Sequence, residues 1–404
     1  MEKKTTNVSK ESTAKAYAAR LNKVYDWMAQ EGIALLMLED TESRRDQNIR
    51  WLTGQPGDAL LFLTAEPPPG AKRDTSLTHA SPPARNALLA AWDVNLAKLY
   101  ACKSPVTIIP YNDYDRKPLT ALVVIAKTLG IPAGSKIEIP SVTPYPAFLE
   151  YVGELADFDI QCHETCAAAE IRRLRAVKDD AEIAITRKAA EYTNEIIDLL
   201  EKNVRSGKIK TEADASIFIL SEARRRDCEG TSFETLAAGP DRSFAIHAFP
   251  SSTSAPFGVT GLSILDFGLK YQGYCTDVTL TFTRDLNPKQ EKLVTLVEKA
   301  AKLALSMAYK GTPAREIAAA VDASFSKAKK KMPHGLGHGI GLQEHEYPEL
   351  RNSSSNEWIL EPGMIFTIEP GLYDPLLGGC RLENDVLVTD TGQEILTNAR
   401  IINL

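Results

Sequence analysis

A segment from His334 to His345 constrains the fold more than any other part of the sequence, because glycine occupies every second position from Gly335 to Gly341. Glycine weakens an ordinary strand, so this alternation predicts a backbone that is approached closely by another group. The chain has six histidines, and three of them, including His338, fall in this segment. A lone histidine is more often a packing residue than a ligand, but this concentration predicts a functional element.

Two aspartates lie on a predicted β-hairpin earlier in the chain. The strand that carries Asp266 is followed by a turn at residues 270–273 and by a return strand that carries Asp277. A turn centred on Tyr271 and Gln272 would place the two aspartates directly opposite each other, with Cβ atoms about 5 Å apart. Carboxylates at that separation repel unless one is protonated or a cation lies between them. A different register, with both acids solvated, is the alternative.

Two glutamates lie at the ends of further strand patterns. Glu369 ends an apolar stretch just before Pro370, and Glu383 follows Arg381 at the entry to another strand. Each alone would be interpreted as an exposed strand terminus. Together with the two aspartates and His338 they supply four carboxylates and an imidazole, a set that suits a pair of divalent ions such as Mn²⁺, Fe²⁺ or Co²⁺. A closed structural zinc site would require thiolates or more imidazoles.

The first third of the chain alternates strand and helix patterns, which is typical of an α/β domain. Strands are predicted at residues 33–38, 59–63, 87–92, 106–110 and 136–140, and helices at 13–31, 119–129 and 148–155. Longer helices are predicted at residues 178–204, 211–226, 288–310 and 313–331. Two helices followed by β-rich sequence thus occur twice, which suggests an internal duplication. Residues 65–84 are rich in proline and predict an exposed arm.

These motifs resemble metallopeptidase family M24, and within it the branch of Xaa-Pro dipeptidase and aminopeptidase P. The resemblance is carried by Asp266, Asp277, His338, the Ile-Glu-Pro-Gly motif at 368–371 and the Arg-Leu-Glu motif at 381–383. Residues 174–178 are similar to the start of the family's catalytic domain, and residues 50–54 to a creatinase-type N-terminal domain. The resemblance implies an α/β N-terminal domain over residues 1–166 and an α+β pita-bread catalytic domain over residues 167–404.

The resemblance also implies a role for each site residue. Two divalent metal ions would be bound by Asp266, Asp277, His338, Glu369 and Glu383, with Asp277 and Glu383 bridging the pair. Mn²⁺ is the expected metal, with Co²⁺, Fe²⁺ and Zn²⁺ as alternatives. Glu369 would also be the general base, and Arg381 would orient the ligating carboxylates. His247, His334 and His345 would bind the scissile carbonyl or assist proton transfer to the leaving proline nitrogen.

The implied activity is hydrolysis of the Xaa-Pro peptide bond at the N-terminus of di- or oligopeptides. The alternatives are a non-catalytic pita-bread binding protein, which typically loses its ligands, and a related M24 hydrolase with another substrate. Arg351 is a candidate for binding the carboxylate of a C-terminal proline, which would favour a dipeptidase, or else is a surface arginine. The resemblance further implies a homodimer or a larger homo-oligomer, in which the arm at residues 65–84 could close over a neighbouring site.

One residue departs from the family pattern, and two cysteines lie near the predicted ligands. Leu280 stands where many members have arginine. Cys275 and Cys380 lie within a few residues of predicted ligands, and we expect oxidants or soft metals to inactivate the enzyme through these thiols. Two buried, inert thiols are the alternative.

Composition excludes some classes of binding partner and indicates a cellular location. The chain has 47 basic and 53 acidic residues, for a net charge of -6, which is the wrong sign for binding nucleic acid through a basic surface. Apolar runs such as residues 121–126 are far shorter than the roughly 20 residues of a membrane helix. The N-terminal stretch has no apolar run, and the six cysteines are dispersed. We therefore expect a cytoplasmic protein with neither nucleic acid nor membrane as a partner.

Overall fold

The computed structural model describes residues 10–65, 85–101 and 103–404, in two compact units, Met1–Leu174 and Arg175–Leu404. The boundary predicted after residue 166 lies before the helix Ala167–Leu174, which belongs to the first unit. Its Ile171 is buried, and the amide of Ala167 donates to the Glu138 carboxylate at 2.7 Å. The arm predicted at residues 65–84 lies outside the described residues beyond position 65.

The N-terminal unit is an α/β unit built on a six-stranded sheet of order β4-β3-β2-β1-β5-β6. Its strands are β1 (Ile33–Asp40), β2 (Ala59–Thr64), β3 (Asn86–Ala91), β4 (Thr107–Pro110), β5 (Lys136–Glu138) and β6 (Asp159–Gln161). Its helices are α1 (Lys10–Glu31), α2 (Gln47–Thr53), α3 (Val94–Tyr100), α4 (Pro118–Thr128), α5 (Tyr145–Glu154) and α6 (Ala167–Leu174). Every residue of β1 is buried, which explains why residues 33–38 form a continuous apolar run rather than an alternating pattern.

The C-terminal unit has four helices, and three of them begin at clear sequence signals. The four helices are α7 (Asp180–Arg205), α8 (Glu212–Arg225), α9 (Pro288–Met307) and α10 (Ala314–Lys327). Capping boxes at Asp179, Thr211 and Asn287 fix the first turns of α7, α8 and α9, since each satisfies otherwise unpaired amides. No helix in the described ranges is both long and apolar enough to cross a membrane.

The strands of the C-terminal unit form two larger sheets and two smaller ones. The strands are β7 (Gly230–Thr231), β8 (Leu236–Ala238), β9 (Gly261–Phe267), β10 (Leu269–Tyr271), β11 (Tyr274–Cys275), β12 (Val278–Arg284), β13 (Gly337–Gly339), β14 (Glu346–Leu350), β15 (Ile365–Ile368), β16 (Gly371–Asp374), β17 (Gly378–Arg381), β18 (Asn384–Thr389), β19 (Gly392–Ile395) and β20 (Ile401–Asn403). The larger sheets have the orders β20-β12-β9-β8 and β14-β13-β15-β18-β19.

Each larger sheet packs against one pair of helices. Helices α7 and α8 share an apolar cluster with β9 and β12, which includes Ile219, Phe267 and Leu280. Helices α9 and α10 share another cluster with β15 and β18, which includes Phe325 and Phe366. The order of helix pair and sheet therefore occurs twice, in agreement with the suggested duplication of architecture.

The register of the β9–β12 hairpin shows that the predicted pairing of the aspartates is wrong. Thr279, not Asp277, lies opposite Asp266. The turn lies one residue further along than predicted, at Gln272 and Gly273, which both have positive φ angles of 47° and 88°. This combination is typical of a tight type I′ hairpin turn. Moving the turn by one residue shifts the pairing by two, so the two aspartates become diagonal neighbours on the same face of the sheet.

Candidate metal centre

Three of the predicted ligands meet from separate places in the C-terminal unit. Asp277 immediately precedes β12, His338 is the central residue of β13, and Glu383 lies between β17 and β18. One ligand atom from each lies within 4.8 Å of the others. Asp277 is 5% exposed and Glu383 is 2% exposed, so water cannot freely solvate the two carboxylates.

The two other predicted ligands, Glu369 and Asp266, border the group of Asp277, His338 and Glu383. Glu369 Oε1 lies 3.7 Å from His338 Nε2, and Asp277 Oδ2 lies 3.9 Å from the same nitrogen. Burial, followed by the charges of Glu383 and Asp266, raises the pKa of Asp277 well above its ordinary value. Burial and the same carboxylate of Glu383 likewise raise the pKa of Glu369. The centre thus concentrates negative charge that the Arg381 guanidinium, paired with Asp266, neutralises only in part.

The donor set of the centre fits a pair of divalent cations. Asp266 Oδ1 and Asp277 Oδ1 are buried, and neither has a hydrogen-bond partner among the described residues. A buried carboxylate oxygen without a partner costs free energy, and clustered like charges add to that cost. Cations between the carboxylates would remove both penalties, and four carboxylates with one imidazole suit hard or borderline divalent ions.

The ring of His338 is oriented for such a role. Its Nδ1 contacts the carbonyl oxygen of Gly339 at 3.1 Å, which assigns the proton to Nδ1 and leaves the Nε2 lone pair facing Asp277 and Glu369. Burial, followed by the charge of His345, lowers the pKa of His338 to about 4. The imidazole is therefore neutral at pH 7, which is the form that binds metal.

The glycines around His338 allow the close approach that the sequence predicts. A Cβ at Gly337 would overlap the carbonyl oxygen of Thr367, and one at Gly339 would overlap that of Tyr347. A Cβ at Gly341 would lie 2.6 Å from a Glu346 carboxylate oxygen. The prediction of close packing is confirmed, and the neighbouring groups are other parts of the protein.

Comparison with known proteins identifies the family. The model of metallopeptidase family M24 matches residues 184–390. The chain belongs to metallopeptidase family M24.

A curated relative supports this assignment over part of its length. The Bacillus subtilis (strain 168) protein named "Putative dipeptidase YkvY" is 33% identical over 234 residues, which are 57% of this chain and 63% of that relative. The match therefore spans less than two thirds of that relative.

Solved structures extend the likeness to almost the whole chain. An Xaa-Pro dipeptidase from Bacillus anthracis has a TM-score of 0.77 at 24% identity, with 97% of this chain and 100% of that chain covered. The prolidase from Pyrococcus horikoshii OT3 has a TM-score of 0.75 at 23% identity, with 94% and 98% covered. These likenesses show the fold, an α/β N-terminal unit followed by an α+β pita-bread unit.

Within this M24 unit, Arg381 lies directly behind the carboxylates. It is 1% exposed, and its Nη2 donates to Asp266 Oδ2 at 2.6 Å. Its Nε donates to Thr279 Oγ1 at 2.9 Å, and that hydroxyl donates to Glu383 Oε2 at 2.6 Å. Arg381 therefore contacts one predicted ligand directly and a second through Thr279, which are contacts that the predicted orienting role requires.

The three other histidines predicted for the site differ in their surroundings. His334 Nδ1 lies 3.7 Å from Glu369 Oε2, and the ring of His345 lies 4.0 Å from that of His338, between centroids. His247 is exposed, and the carbonyl oxygen of Ile246 before it accepts a bond from Arg381 Nη1 at 3.0 Å. His334 and His345 thus lie beside predicted ligands, and His247 is linked to them through the backbone.

Tyr373 is a residue that the sequence did not single out. Its hydroxyl accepts a bond from Arg381 Nη1 at 2.7 Å and lies 3.0 Å from His334 Nε2. His334 Nδ1 contacts the carbonyl oxygen of Gly335, so Nε2 is the acceptor and the tyrosine is the donor. Burial raises the pKa of Tyr373 to about 12, which keeps the donor proton in place. Nothing in the local sequence marks this tyrosine, because its partners are distant in the chain.

The structure also shows the surroundings of two cysteines and one arginine for which the sequence left two interpretations open. Cys275 and Cys380 are both fully buried, and burial raises the pKa of each thiol to about 12. Because the thiolate is the reactive form, the structure favours the alternative of two inert thiols. Arg351 is exposed, and its Nε lies 3.6 Å from the position that a Cβ on Gly335 would take, which places it beside the His334 backbone.

Proposed function

We propose that this chain is a metal-dependent hydrolase of the Xaa-Pro peptide bond at the N-terminus of di- or oligopeptides, of the prolidase or aminopeptidase P type. The observation that carries the proposal is the convergence of Asp277, His338 and Glu383. The names of the similar structures, an Xaa-Pro dipeptidase and a prolidase, support the substrate class.

The proposed metal ligands are the five predicted residues. Asp266, Asp277, His338, Glu369 and Glu383 would hold two divalent cations, with Asp277 and Glu383 shared between them. When bound, the cations supply Lewis acidity for the attack of water on the scissile carbonyl. Mn²⁺ is the proposed metal, and Co²⁺, Fe²⁺ and Zn²⁺ are the metals to compare with it.

The proton transfers are proposed for side chains of the centre. Glu369 would accept a proton from the attacking water, since its carboxylate lies beside both His338 and His334 at the centre. His247, His334 and His345 would contact the scissile carbonyl or pass a proton to the proline nitrogen as it leaves. The nitrogen of the scissile bond belongs to the proline ring and carries no hydrogen, so the substrate site must recognise ring shape and the carbonyl group.

The test uses the full chain loaded with Mn²⁺ and measures cleavage of Ala-Pro, Ala-Pro-Ala and Ala-Ala. We expect turnover of the proline peptides only, loss of turnover on chelation, and loss in Asp277→Asn. Asp390→Asn is the matched control because Asp390 is 80% exposed. Turnover that survives chelation or Asp277→Asn would contradict the mechanism. A metal-loaded chain that cleaves none of these peptides would contradict the proposed substrate class.

Preference for a dipeptide is tested at Arg351. If this guanidinium binds the carboxylate of a C-terminal proline, Arg351→Met raises KM for Ala-Pro and leaves KM for Ala-Pro-Ala unchanged. An equal effect on both peptides would contradict that role. Cytoplasmic location and a homodimeric or larger assembly stay predictions, to be measured by cell fractionation and light scattering.

A further inference from the structure

His247 lies on a stretch of chain that forms neither helix nor strand. We call residues 239–255, between β8 and β9, the His247 segment. The side chain of His247 is exposed, so packing of the imidazole itself does not fix its position. The position of His247 must therefore be set by contacts made elsewhere along the segment.

One buried carboxylate binds both ends of the His247 segment. Glu212, the first residue of α8, is 0% exposed. Its Oε1 accepts a bond from the amide of Gly239 at 2.8 Å. Its Oε2 accepts bonds from Arg242 Nη1 at 2.7 Å, from the Thr253 amide at 2.8 Å and from Thr253 Oγ1 at 2.6 Å. Four donors from the segment thus converge on a single side chain.

The middle of the segment is held from the other side by Arg381. Arg381 Nη1 donates to the carbonyl oxygen of Ile246, and Nη2 of the same side chain donates to Asp266. The segment is therefore fixed to α8 through Glu212 and to the metal centre through Arg381. The Gly379 amide also donates to Ser243 Oγ, and the Ala237 amide donates to the Ser251 carbonyl oxygen. The Glu212 contacts lie outside these two bonds and fix the two ends of the segment.

The pattern of donors requires a carboxylate rather than an amide. An ionised carboxylate only accepts hydrogen bonds and offers about four lone-pair sites, whereas glutamine offers one acceptor oxygen and an NH₂ that would face the Arg242 guanidinium. The charge-assisted bond to Arg242 also compensates for the burial of Glu212. Glu212→Gln keeps the shape of the side chain and removes its charge. Its effect therefore distinguishes the loss of these hydrogen bonds from a loss of packing.

We infer that Glu212 is a positioning residue that holds residues 239–255 in the conformation that presents His247 to the metal centre. This inference rests on the proposed function, because it is through peptide hydrolysis that His247 would act. Glu212 touches neither the predicted ligands nor the reacting atoms, so its effect on turnover should pass through His247.

The first test compares Glu212→Gln with Asp214→Asn in the full chain. Asp214 is the matched control because its exposed carboxylate caps the same first turn of α8, through the amides of Lys210 and Thr211. In hydrogen exchange read by mass spectrometry, peptides covering residues 240–252 should exchange faster in Glu212→Gln and remain unchanged in Asp214→Asn. Equal exchange in both variants would overturn the inference. The exchange experiment needs no substrate, so its result tests the role of Glu212 even if the proposed activity is absent.

The second test is a double-mutant cycle on Xaa-Pro cleavage. Glu212→Gln should lower kcat by roughly 10- to 100-fold, with KM and bound metal unchanged. In the His247→Ala background the same substitution should have no further effect on kcat. An undiminished loss in that background would show that Glu212 acts independently of His247 and would overturn the inference. If Glu212→Gln does not fold, Glu212→Asp, which keeps the charge but shortens the reach, replaces it with the same expected pattern.

Discussion

At the scale of single residues, a buried guanidinium organises much of the candidate centre. Arg381 donates to Asp266, Thr279, Tyr373 and the backbone of Ile246. A buried charge with several partners is costly to remove, because the remaining carboxylate is left unpaired in a poorly solvated place. The role of Arg381 should therefore depend on the fork of the guanidinium as well as on its charge.

We predict that Arg381→Lys lowers kcat/KM for an Xaa-Pro peptide by roughly 10- to 100-fold and weakens metal retention. Lysine keeps the charge but cannot reach Asp266, Thr279 and Tyr373 together. Steady-state kinetics and metal analysis after gel filtration measure both effects. The control is Arg284→Lys, since Arg284 Nε makes a single bond to the Gly258 carbonyl. Similar losses in the two variants would contradict a specific role for Arg381.

A second residue-scale prediction concerns Glu138 in the N-terminal unit. Burial raises the pKa of Glu138 to about 7, although the bond from the Ala167 amide partly offsets this effect. Its folded pKa lies above the value of 4.5 for an ordinary glutamate, so the folded state binds the proton more tightly. The resulting stability is complete below about pH 4.5 and is lost as the pH rises through about 7.

Glu138→Gln should therefore increase the free energy of unfolding at pH 8, on the order of 3 kcal/mol, and have little effect at pH 4. Glutamine keeps the acceptor for Ala167 without the cost of burying a charge. Urea denaturation at the two pH values measures the difference. Glu150→Gln, at an exposed position of α5, should show no such pH dependence. A uniform effect at both pH values would contradict the argument.

At the scale of elements, a local capping signal places the start of α9 better than its end, and better than the register of the β9–β12 hairpin. The capping residue Asn287 and Pro288 predict the start of α9, but α9 ends at Met307 rather than at residue 310. The hairpin turn was misplaced because Gln272 adopts a positive φ, whereas such turns favour asparagine, aspartate or glycine at that position. Sequence therefore predicts which residues form strands but not which residues lie opposite each other.

A buried ion cluster attaches the strand β14 to the chain before α7. The Glu346 side chain is 4% exposed and pairs with Arg175 and, at 3.4 Å, with Lys178. It also accepts a bond from the Gln343 amide at 3.0 Å. These contacts fix the turn that carries His345, the residue directly before Glu346.

Glu346→Gln should lower the free energy of unfolding by about 3–5 kcal/mol, because two buried cations lose their counter-charge. The control is Glu394→Gln, which breaks an exposed pair with Arg187 at 2.6 Å and should cost at most about 1 kcal/mol. Urea denaturation at pH 7 compares the two variants. Equal losses would show that the burial of the cluster has no special energetic effect.

At the scale of the whole chain, the candidate centre draws on both helix-and-sheet halves of the C-terminal unit. Asp266 and Asp277 belong to the β9–β12 half, and His338, Glu369 and Glu383 follow α10. The motifs predict these five residues as ligands, but their supporting partners depend on contacts far apart in sequence, such as Arg381 to Thr279 across 102 positions. Tyr373, Thr279 and Glu212 therefore could not be found without the fold.

Because metal would bind the folded arrangement only, we predict that Mn²⁺ stabilises the chain. At one hundred times the dissociation constant the gain is about 2.7 kcal/mol, visible as a higher unfolding midpoint. Asp277→Asn should lose this metal-dependent shift, and Asp390→Asn should keep it. A shift of equal size in Asp277→Asn would place the stabilising ion at another site.

The five proposed ligands are divided between the two helix-and-sheet halves of the C-terminal unit, which allows the centre to be tested by cutting the chain. A cut between β12 and α9 would leave two of the proposed metal ligands on one fragment and three on the other. Neither fragment alone would carry all five proposed ligands. Binding of two cations would therefore show that the fragments had reassociated. The bound cations would themselves stabilise the association of the two fragments.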